Sequence, residues 1–336
     1  MSLIRWYTRY GPEGASSRYR VYQYLDGLDE AGFESEVEPL ANWRSSRRTA
    51  AIGVAKRVRS LSAVGRGAAD GVVVIQKEPV MPPGLWRAAH RLLRTPGPMV
   101  WDVDDAVWIG APSARVMACD MAAMADVAVA GNDLIATWLK RHGASDVRVI
   151  PTCFDASAPL QESLDREVVE LVWVGSPSTA DRFRVEFQRF LDVLKSPHVQ
   201  LTCVGAPAFE MAAARPVRFV DWTPEAEQHA LGRAHYGLSF LPRDEYSDHK
   251  CGFKLVQYLA YGVVPIATRS PVHEAILGDV GHLVGSDTDV RDLAEILTVR
   301  PTDSDRERAR SRWEANFSVE VGTKAWAALL AELRQH

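Results

Sequence analysis

The stretch that decides the fold is residues 246–268, which read YSDHKCGFKLVQYLAYGVVPIAT. It predicts a polar loop, a short helix that begins after Gly252 and ends at Gly262, and then a buried strand. Lys254 and Gln257 are three residues apart, so they share one face of the predicted helix. Free backbone N–H groups and the helix dipole both favour negative charge at such a helix start, so the stretch indicates an anion site that would suit a diphosphate.

Residues 250–265, KCGFKLVQYLAYGVVP, resemble the donor-binding segment of family-4-type glycosyltransferases, which have the GT-B fold and use nucleotide sugars. The chain has the K-C-G-F-K-x-x-Q-Y variant of that segment. In many relatives a glutamate that binds the nucleotide ribose occupies the position of Gln257, and another occupies the position of His249. The resemblance implies that Gln257 takes over the ribose contact, because an amide also hydrogen-bonds a hydroxyl.

A second part of the expected donor site follows a predicted strand at 170–174, where the small-residue turn GSPST occupies 175–179. Small residues let backbone amides and hydroxyls approach a phosphate closely. The resemblance implies that Lys254 and Lys250 neutralise the leaving diphosphate, which makes Lys254 catalytic as well, and that Glu245 reaches the donor sugar. The expected donor-binding residues are Gly175, Ser176, Ser178, Thr179, Lys250, Lys254, Gln257 and Glu245.

The composition is that of ordinary globular domains, since 47% of the 336 residues are hydrophobic and 24% are charged. Four scattered cysteines without a C-x-x-C pair argue against a zinc knuckle, a redox motif or a disulfide framework. No apolar run approaches the roughly 18 residues of a membrane-spanning helix, and the start does not read as a signal peptide. We therefore expect a cytoplasmic protein.

One charge anomaly stands out between Glu38 and Asp70, where seven Lys or Arg residues occur without a single acidic residue. An apolar stripe accompanies the basic residues of segment 44–66. The segment could rest on the inner face of a membrane or hold an anionic acceptor. It could equally be a solvated surface helix.

Strands and helices alternate throughout both halves of the chain, which predicts an α/β protein with two Rossmann-like doubly wound domains facing each other across a cleft. The expected acceptor-binding domain spans 1–155 and is joined by a C-terminal helix at 318–336. The expected nucleotide-sugar domain spans 156–317, and 156–165 reads as the linker.

An acidic cluster, DVDD at 102–105, directly follows the predicted strand at 99–101. Carboxylates in that place lie where open α/β sheets bind ligands. Three functional interpretations compete: a Mg²⁺-dependent phosphatase that uses Asp102 and Asp104, a metal-binding D-x-D of a GT-A enzyme, and an acceptor site with Asp104 and Asp105 as catalytic residues and no metal. We favour the third because it agrees with the Lys254 segment, while simple capping of the next element stays open.

Two arginines, Arg18 and Arg20, lie at the start of the first predicted helix and could face a phosphate or the acceptor, although solvated arginines fit as well. The chain lacks H-x-x-x-H, G-x-x-x-x-G-K-[ST] and G-x-S-x-G, which removes the zinc, P-loop and α/β-hydrolase classes.

The sequence thus predicts a hexosyl-type glycosyltransferase that retains the anomeric configuration and uses a nucleotide sugar as its only co-substrate, without a metal. The expected acceptor is a glycan, a lipid-linked molecule or a small molecule, and no nucleic acid partner is expected. The alternatives are the phosphatase and a non-catalytic nucleotide-sugar-binding protein.

Overall fold

A computed structural model describes residues 2–40, 71–77, 86, 97–110, 112–156, 167–209, 213, 215–285, 288 and 290–334. The chain divides into two units. The first comprises Met1–Cys153, His249–Cys251 and Val319–His336, and the second comprises Phe154–Asp248 and Gly252–Ser318. The expected division ran between 155 and 156 and kept the segment 249–251 with the second part of the chain. Residues 157–165 of the predicted linker and the basic segment 44–66 lie outside the described residues.

The described strands of the first unit form a six-stranded parallel sheet in the order β2-β1-β3-β4-β5-β6. Apolar runs such as VVVI at 72–75 form these strands because both faces of a parallel sheet are covered. The strands are β1 (Ser2–Thr8), β2 (Phe33–Pro39), β3 (Gly71–Gln76), β4 (Met99–Val103), β5 (Val127–Ala130) and β6 (Val147–Val149). The α-helices are α1 (Ala15–Arg20), α2 (Leu25–Glu30), α3 (Pro112–Met124), α4 (Asp133–Arg141) and, at the C-terminus, α12 (Val319–Leu333).

The C-terminal helix α12 belongs to the core of the first unit. Its Trp326 is fully buried and meets Trp6 of β1 edge to face, with ring centroids 5.1 Å apart. A Cβ on Gly322 would lie 2.6 Å from Cε1 of Tyr24, so the helix packs this closely only because glycine is there. Helix α12 is therefore a structural part of the first unit.

The described strands of the second unit form another six-stranded parallel sheet, in the order β12-β11-β10-β7-β8-β9. The strands are β7 (Val169–Val174), β8 (Val199–Val204), β9 (Arg218–Val220), β10 (Tyr236–Ser239), β11 (Val264–Thr268) and β12 (His282–Val284). The α-helices are α5 (Pro177–Phe187), α6 (Pro224–Arg233), α7 (Glu245–Asp248), α8 (Phe253–Ala260), α9 (Pro271–Leu277), α10 (Val290–Ile296) and α11 (Asp303–Asn316). The predicted α/β class with two Rossmann-like domains is confirmed.

Helix α8 is fixed to the centre of the second sheet. A Cβ on Gly237 of β10 would lie 2.4 Å from the ring of Tyr258, so the tyrosine packs flat against the strand only because position 237 is glycine. The Tyr258 hydroxyl donates to the carbonyl oxygen of Leu238 over 2.9 Å. This packing sets where the first turn of α8, with Lys254, can lie.

All strands of each sheet are parallel, so their carboxyl ends share one edge, and this is the edge at which doubly wound folds bind ligands. Among the helices described, none combines the length and the apolar character needed to cross a bilayer.

Candidate functional site

Lys254 lies in the first turn of α8, with its Nζ 5.2 Å from the centroid of the Trp173 ring. The residue before the helix, Gly252, has φ +62°, and a Cβ there would lie 2.4 Å from Cδ1 of Ile276. Only glycine fits both conditions. An aromatic face attracts an ammonium group through its ring quadrupole. The contact therefore positions a cation at the start of a helix.

The turn after β7 lies beside the same tryptophan. A Cβ on Gly175 would be 2.6 Å from Cη2 of Trp173 and 2.8 Å from Oγ1 of Thr179. The ring of Trp173 thus borders both the turn and Lys254. The structure brings together Gly175, Thr179 and Lys254, which are up to 79 positions apart in the sequence.

The other predicted residues of this turn lie at the start of α5. Ser176 precedes the helix and is exposed, and its carbonyl oxygen accepts a hydrogen bond from the Thr179 hydroxyl at 3.0 Å. The side chain of Ser178 is outside the described part of the structure. Helix α5 begins here, so the positive end of its dipole lies at the turn, although the N–H groups of Thr179 and Ala180 already donate to the Ser176 carbonyl oxygen.

Arg182, one turn into α5, is held by the segment that precedes α8. Its Nη1 donates to Oδ2 of Asp244 at 2.6 Å and to the Ser247 hydroxyl at 2.9 Å. Partial burial opposes ionisation of Asp244, but the hydrogen bonds from the Ser247 N–H and from Arg182 lower its pKa overall. Glu245, the expected donor-sugar contact, is exposed in the first turn of α7, next to this ion pair.

Gln257 is part of a hydrogen-bonded group at the edge of the second sheet. Its Nε2 donates to Oε1 of Glu227 at 2.7 Å, and the indole N–H of Trp222 donates to Oε2 of the same carboxylate at 2.6 Å. Gln257 and Glu227 are buried, whereas the Trp222 side chain is 39% exposed. Glu227 was not predicted as a site residue from the sequence. An acidic residue in the first turn of a helix at this edge could have indicated it.

In the first unit the expected catalytic carboxylates follow β4 and share a lysine. The Lys77 Nζ lies 2.7 Å from Oδ2 of Asp105 and 3.2 Å from Oδ1 of Asp104. Asp104 is 5% exposed, and no described group donates to its Oδ1 with hydrogen-bond geometry, so the Lys77 contact there is electrostatic. Asp104 and Asp105 therefore form one compact charged site with Lys77.

Lys77 was not predicted from sequence, and its backbone is unusual. It has φ +62°, which makes it the non-glycine residue with positive φ in the described part of the chain. Its carbonyl oxygen accepts the indole N–H of Trp101 at 2.9 Å, and its N–H donates to the Asp102 carbonyl at 2.8 Å. These bonds hold the left-handed conformation that points the residue at the carboxylates.

Polar side chains from α1 and β3 complete this edge of the first sheet. The Ser16 hydroxyl contacts Oδ2 of Asp104 at 3.3 Å and accepts from Nε2 of Gln76 at 2.8 Å. Gln76 Oε1 in turn accepts from the Ser17 hydroxyl at 2.9 Å. Asp104 is therefore oriented by a connected network of hydrogen bonds.

Arg20 differs from the sequence expectation. It is fully buried, and its guanidinium makes a bidentate ion pair with Asp102, with Nε 3.1 Å from Oδ2. Burial favours the neutral form of both groups and raises the pKa of Asp102 against the pull of Arg20; Asp102 in turn raises the pKa of Arg20. Both side chains are buried in the core, so Arg20 cannot bind an external phosphate. Arg18, by contrast, is only half-buried and donates to the carbonyl oxygens of Pro12 and Glu13.

The same ion pair bears on the phosphatase alternative. That mechanism needs the Asp102 carboxylate to attack a phosphate ester, but the side chain has no exposed surface. A nucleophile in that state cannot reach a substrate, so the structure gives this alternative no support.

Lys250 groups with the first unit rather than with the Lys254 site. Its Nζ lies 4.0 Å from Oδ1 of Asp105. The neighbouring His249 is placed by two further contacts of the first unit, since its carbonyl oxygen accepts from Nδ2 of Asn132 at 3.0 Å and its ring meets Trp108 edge to face. Lys250 therefore adds positive charge to the carboxylate site.

No protein-family model matches the sequence, and no curated protein matches it. Solved structures do match. The galactosyltransferase WaaB of the lipopolysaccharide outer core, in its apo form, has a TM-score of 0.66 at 13% identity, over 97% of this chain and 99% of that chain. Sucrose-phosphate synthase from Thermosynechococcus elongatus gives 0.69 at 14% identity, over 99% of each chain. The UDP-forming alpha,alpha-trehalose-phosphate synthase from Burkholderia vietnamiensis gives 0.65 at 12% identity, over 99% and 100%.

The chain therefore has the GT-B fold, with two Rossmann-like α/β domains, as the Lys254 segment predicted. At these identities the likeness concerns the fold. The family-4 assignment and the roles of individual residues stay predictions.

Proposed function

We propose that this protein transfers a hexosyl group from a nucleoside diphosphate-sugar, bound by the second unit, to an acceptor hydroxyl bound by the first. The observation that carries the proposal is the position of Lys254, which lies over Trp173 beside the Gly175–Thr179 turn. Lys254 lies at the start of α8, and the start of α5 follows the turn; a lysine and the positive end of a helix each favour a doubly negative group. The sugar-transferring activities named for the structural neighbours agree with this.

Lys254 is assigned the leaving group. When the bond between the anomeric carbon and the diphosphate breaks, negative charge grows on the diphosphate, and a fixed ammonium group stabilises it more in the transition state than in the ground state. Lysine and the helix dipoles supply the stabilising positive charge, so the proposed reaction needs no metal. The proposal also includes retention of the anomeric configuration. The Thr179 hydroxyl, which would turn from the Ser176 carbonyl oxygen to the ligand, and the positive end of α5 are assigned the remaining phosphate oxygens.

Asp104 and Asp105 are assigned the acceptor. The Asp105 carboxylate, whose side chain is 20% exposed, is the acceptor for the hydroxyl proton, while Ser16 and Lys77 hold the more buried Asp104 carboxylate beside it. The acceptor is a glycan, a lipid-linked molecule or a small molecule. Lys77 and Lys250 place two cations beside the two carboxylates, which keeps the site near neutrality and does not repel an acceptor that carries a phosphate.

A donor panel tests the proposal. The protein is incubated with UDP-, GDP- and dTDP-sugars and with candidate acceptors, in EDTA or in Mg²⁺, and nucleoside diphosphate release is measured. We expect release that survives EDTA and is lost in Lys254→Ala, but not in Lys195→Ala, because Lys195 is an exposed lysine of the same unit paired with Asp192. Phosphate release that depends on metal would instead favour a phosphatase, and nucleotide binding without turnover on any acceptor would favour a non-catalytic binding protein.

A further inference from the structure

The contacts of Glu227 point to a nucleoside-binding surface at the carboxyl edge of the second sheet. Glu227 is 7% exposed, and its two oxygens accept from side chains of different elements: the Trp222 indole after β9 and the Gln257 amide of α8. Burying a carboxylate without hydrogen bonds costs folding free energy. Breaking either of these two bonds is therefore unfavourable. They fix the orientation of the indole.

The tryptophan held in this way is an exposed residue. Trp222 is 39% exposed, although most large hydrophobic side chains among the described residues of the second unit are buried. Gly205 lies between Trp222 and the Gly175–Thr179 turn: a Cβ on Gly205 would lie 2.2 Å from the Gly175 carbonyl oxygen and 3.2 Å from Cβ of Trp222. An exposed tryptophan is therefore anchored next to the turn assigned to the diphosphate.

We propose that Trp222 is the surface on which the base of the donor nucleotide stacks, and that Glu227, braced by Gln257, is the positioning residue that holds the indole for it. This inference rests on the proposed function. It assigns the carboxylate of the nucleoside site to Glu227 of α6, and it gives Gln257 a reason to be an amide: a glutamate at 257 would place a second carboxylate against the first. The base is identified only as a planar ring, because stacking accepts any base.

Binding measurements separate the parts of the site. Isothermal titration with UDP and GDP measures an affinity to which both the Gly175–Thr179 turn and the Trp222 ring contribute. Titration with inorganic pyrophosphate measures the contribution of the turn alone. Base–aromatic stacking predicts that Trp222→Ala weakens binding of both nucleotides by about fivefold to a hundredfold and leaves pyrophosphate binding unchanged. Unchanged pyrophosphate binding also shows that the second unit is still folded.

A double-variant comparison tests the role of Glu227. Glu227→Ala is expected to weaken nucleotide binding by about fivefold, while Glu225→Ala, an exposed neighbour in the same helical turn, has no effect. If Glu227 acts through the indole N–H, its substitution has little further effect in Trp222→Phe, which keeps a ring but lacks that donor. With a transferable acceptor, the donor KM rises in Glu227→Ala and kcat stays near that of the unaltered protein.

Each outcome decides a specific point. Equal nucleotide affinity of Trp222→Ala and the unaltered protein would overturn the stacking surface and leave the transferase proposal intact. Equal losses from Glu227→Ala in the tryptophan and phenylalanine backgrounds would overturn the positioning role alone. Failure of the unaltered protein to bind UDP, GDP and pyrophosphate would overturn the proposed function, and this inference with it.

Discussion

Gln257 donates its amide N–H to the carboxylate of Glu227 over 2.7 Å, and both side chains are buried. The two residues are 30 positions apart and belong to α8 and α6, so the bond ties two helices at the carboxyl edge of the second sheet. Its polarity matters, because the pair works only if one partner is a donor and the other an acceptor.

Gln257→Glu reverses that polarity. We expect it to destabilise the second unit by about 1–3 kcal/mol at pH 7.5, because two buried carboxylates would face each other. Such a pair has its pKa raised in the folded state, so the loss shrinks as the pH falls and one group takes up a proton. Urea unfolding at pH 7.5 and pH 5.5 measures it, with the exposed Gln188→Glu as control. A loss that is the same at both pH values would contradict the explanation.

Lys77 combines a left-handed backbone with an ammonium group between two carboxylates. Lys77→Gly removes the amine and relieves the backbone, whereas Lys77→Ala removes the amine only. We expect the glycine variant to be more stable than the alanine variant by about 1 kcal/mol, and both to lose transfer activity equally. Thermal unfolding and turnover check the two points, with Lys140→Ala as a surface control. Full activity in Lys77→Gly would show that the ammonium group is dispensable.

Arg20 and Arg18 offer a matched pair two residues apart. Arg20→Met leaves Asp102 buried without its partner, which is expected to cost about 3–5 kcal/mol of unfolding free energy. Arg18→Met removes exposed contacts to carbonyl oxygens and should cost less than about 1 kcal/mol. Urea unfolding of the two variants compares them directly. Similar midpoints would mean that the buried pair contributes little.

His273 gives the second unit a dependence on pH. It is buried beneath the start of α8, and burial, with a smaller contribution from the Lys254 charge, lowers its pKa below the usual 6.5. The folded state therefore binds this proton less readily than the unfolded chain does. Stability is retained above pH 6.5 and falls as the pH decreases below it, by up to about 1.4 kcal/mol per pH unit.

The measurement is the unfolding free energy between pH 7.5 and 5.5. His273→Gln should flatten the dependence, while the exposed His229→Gln should keep it. An unchanged slope in His273→Gln would assign the dependence to another group, such as His282, whose pKa burial also lowers.

Much of the local structure could be predicted because its signals are local. The glycines at 252 and 262 and the apolar positions between them predicted α8 and the strand after it, and the structure has both. Helix α5 begins at Pro177, inside the turn of small residues, because proline suits a first helical position. The short helix α7 was read as a loop, because four polar residues show no period.

The candidate site depends on distances that the sequence does not contain. Arg20 and Arg18 have the same chemistry in the chain, and only the packing of α1 on the sheet buries one of them. Lys250 and Lys254 are close in the sequence, but Gly252, in the left-handed conformation, lies between them. Their side chains therefore have different neighbours. The bond between Gln257 and Glu227 likewise arises from the way two helices flank one sheet.

The central claim is that Lys254 and the turn after β7 hold the diphosphate of an activated sugar. A crystal structure of the protein with UDP or GDP tests it most directly. We expect diphosphate oxygens within hydrogen-bond distance of the Lys254 Nζ and of the Thr179 hydroxyl, with the complex forming in EDTA. A nucleotide bound elsewhere, with Lys254 still over Trp173 and the turn empty, would contradict the account.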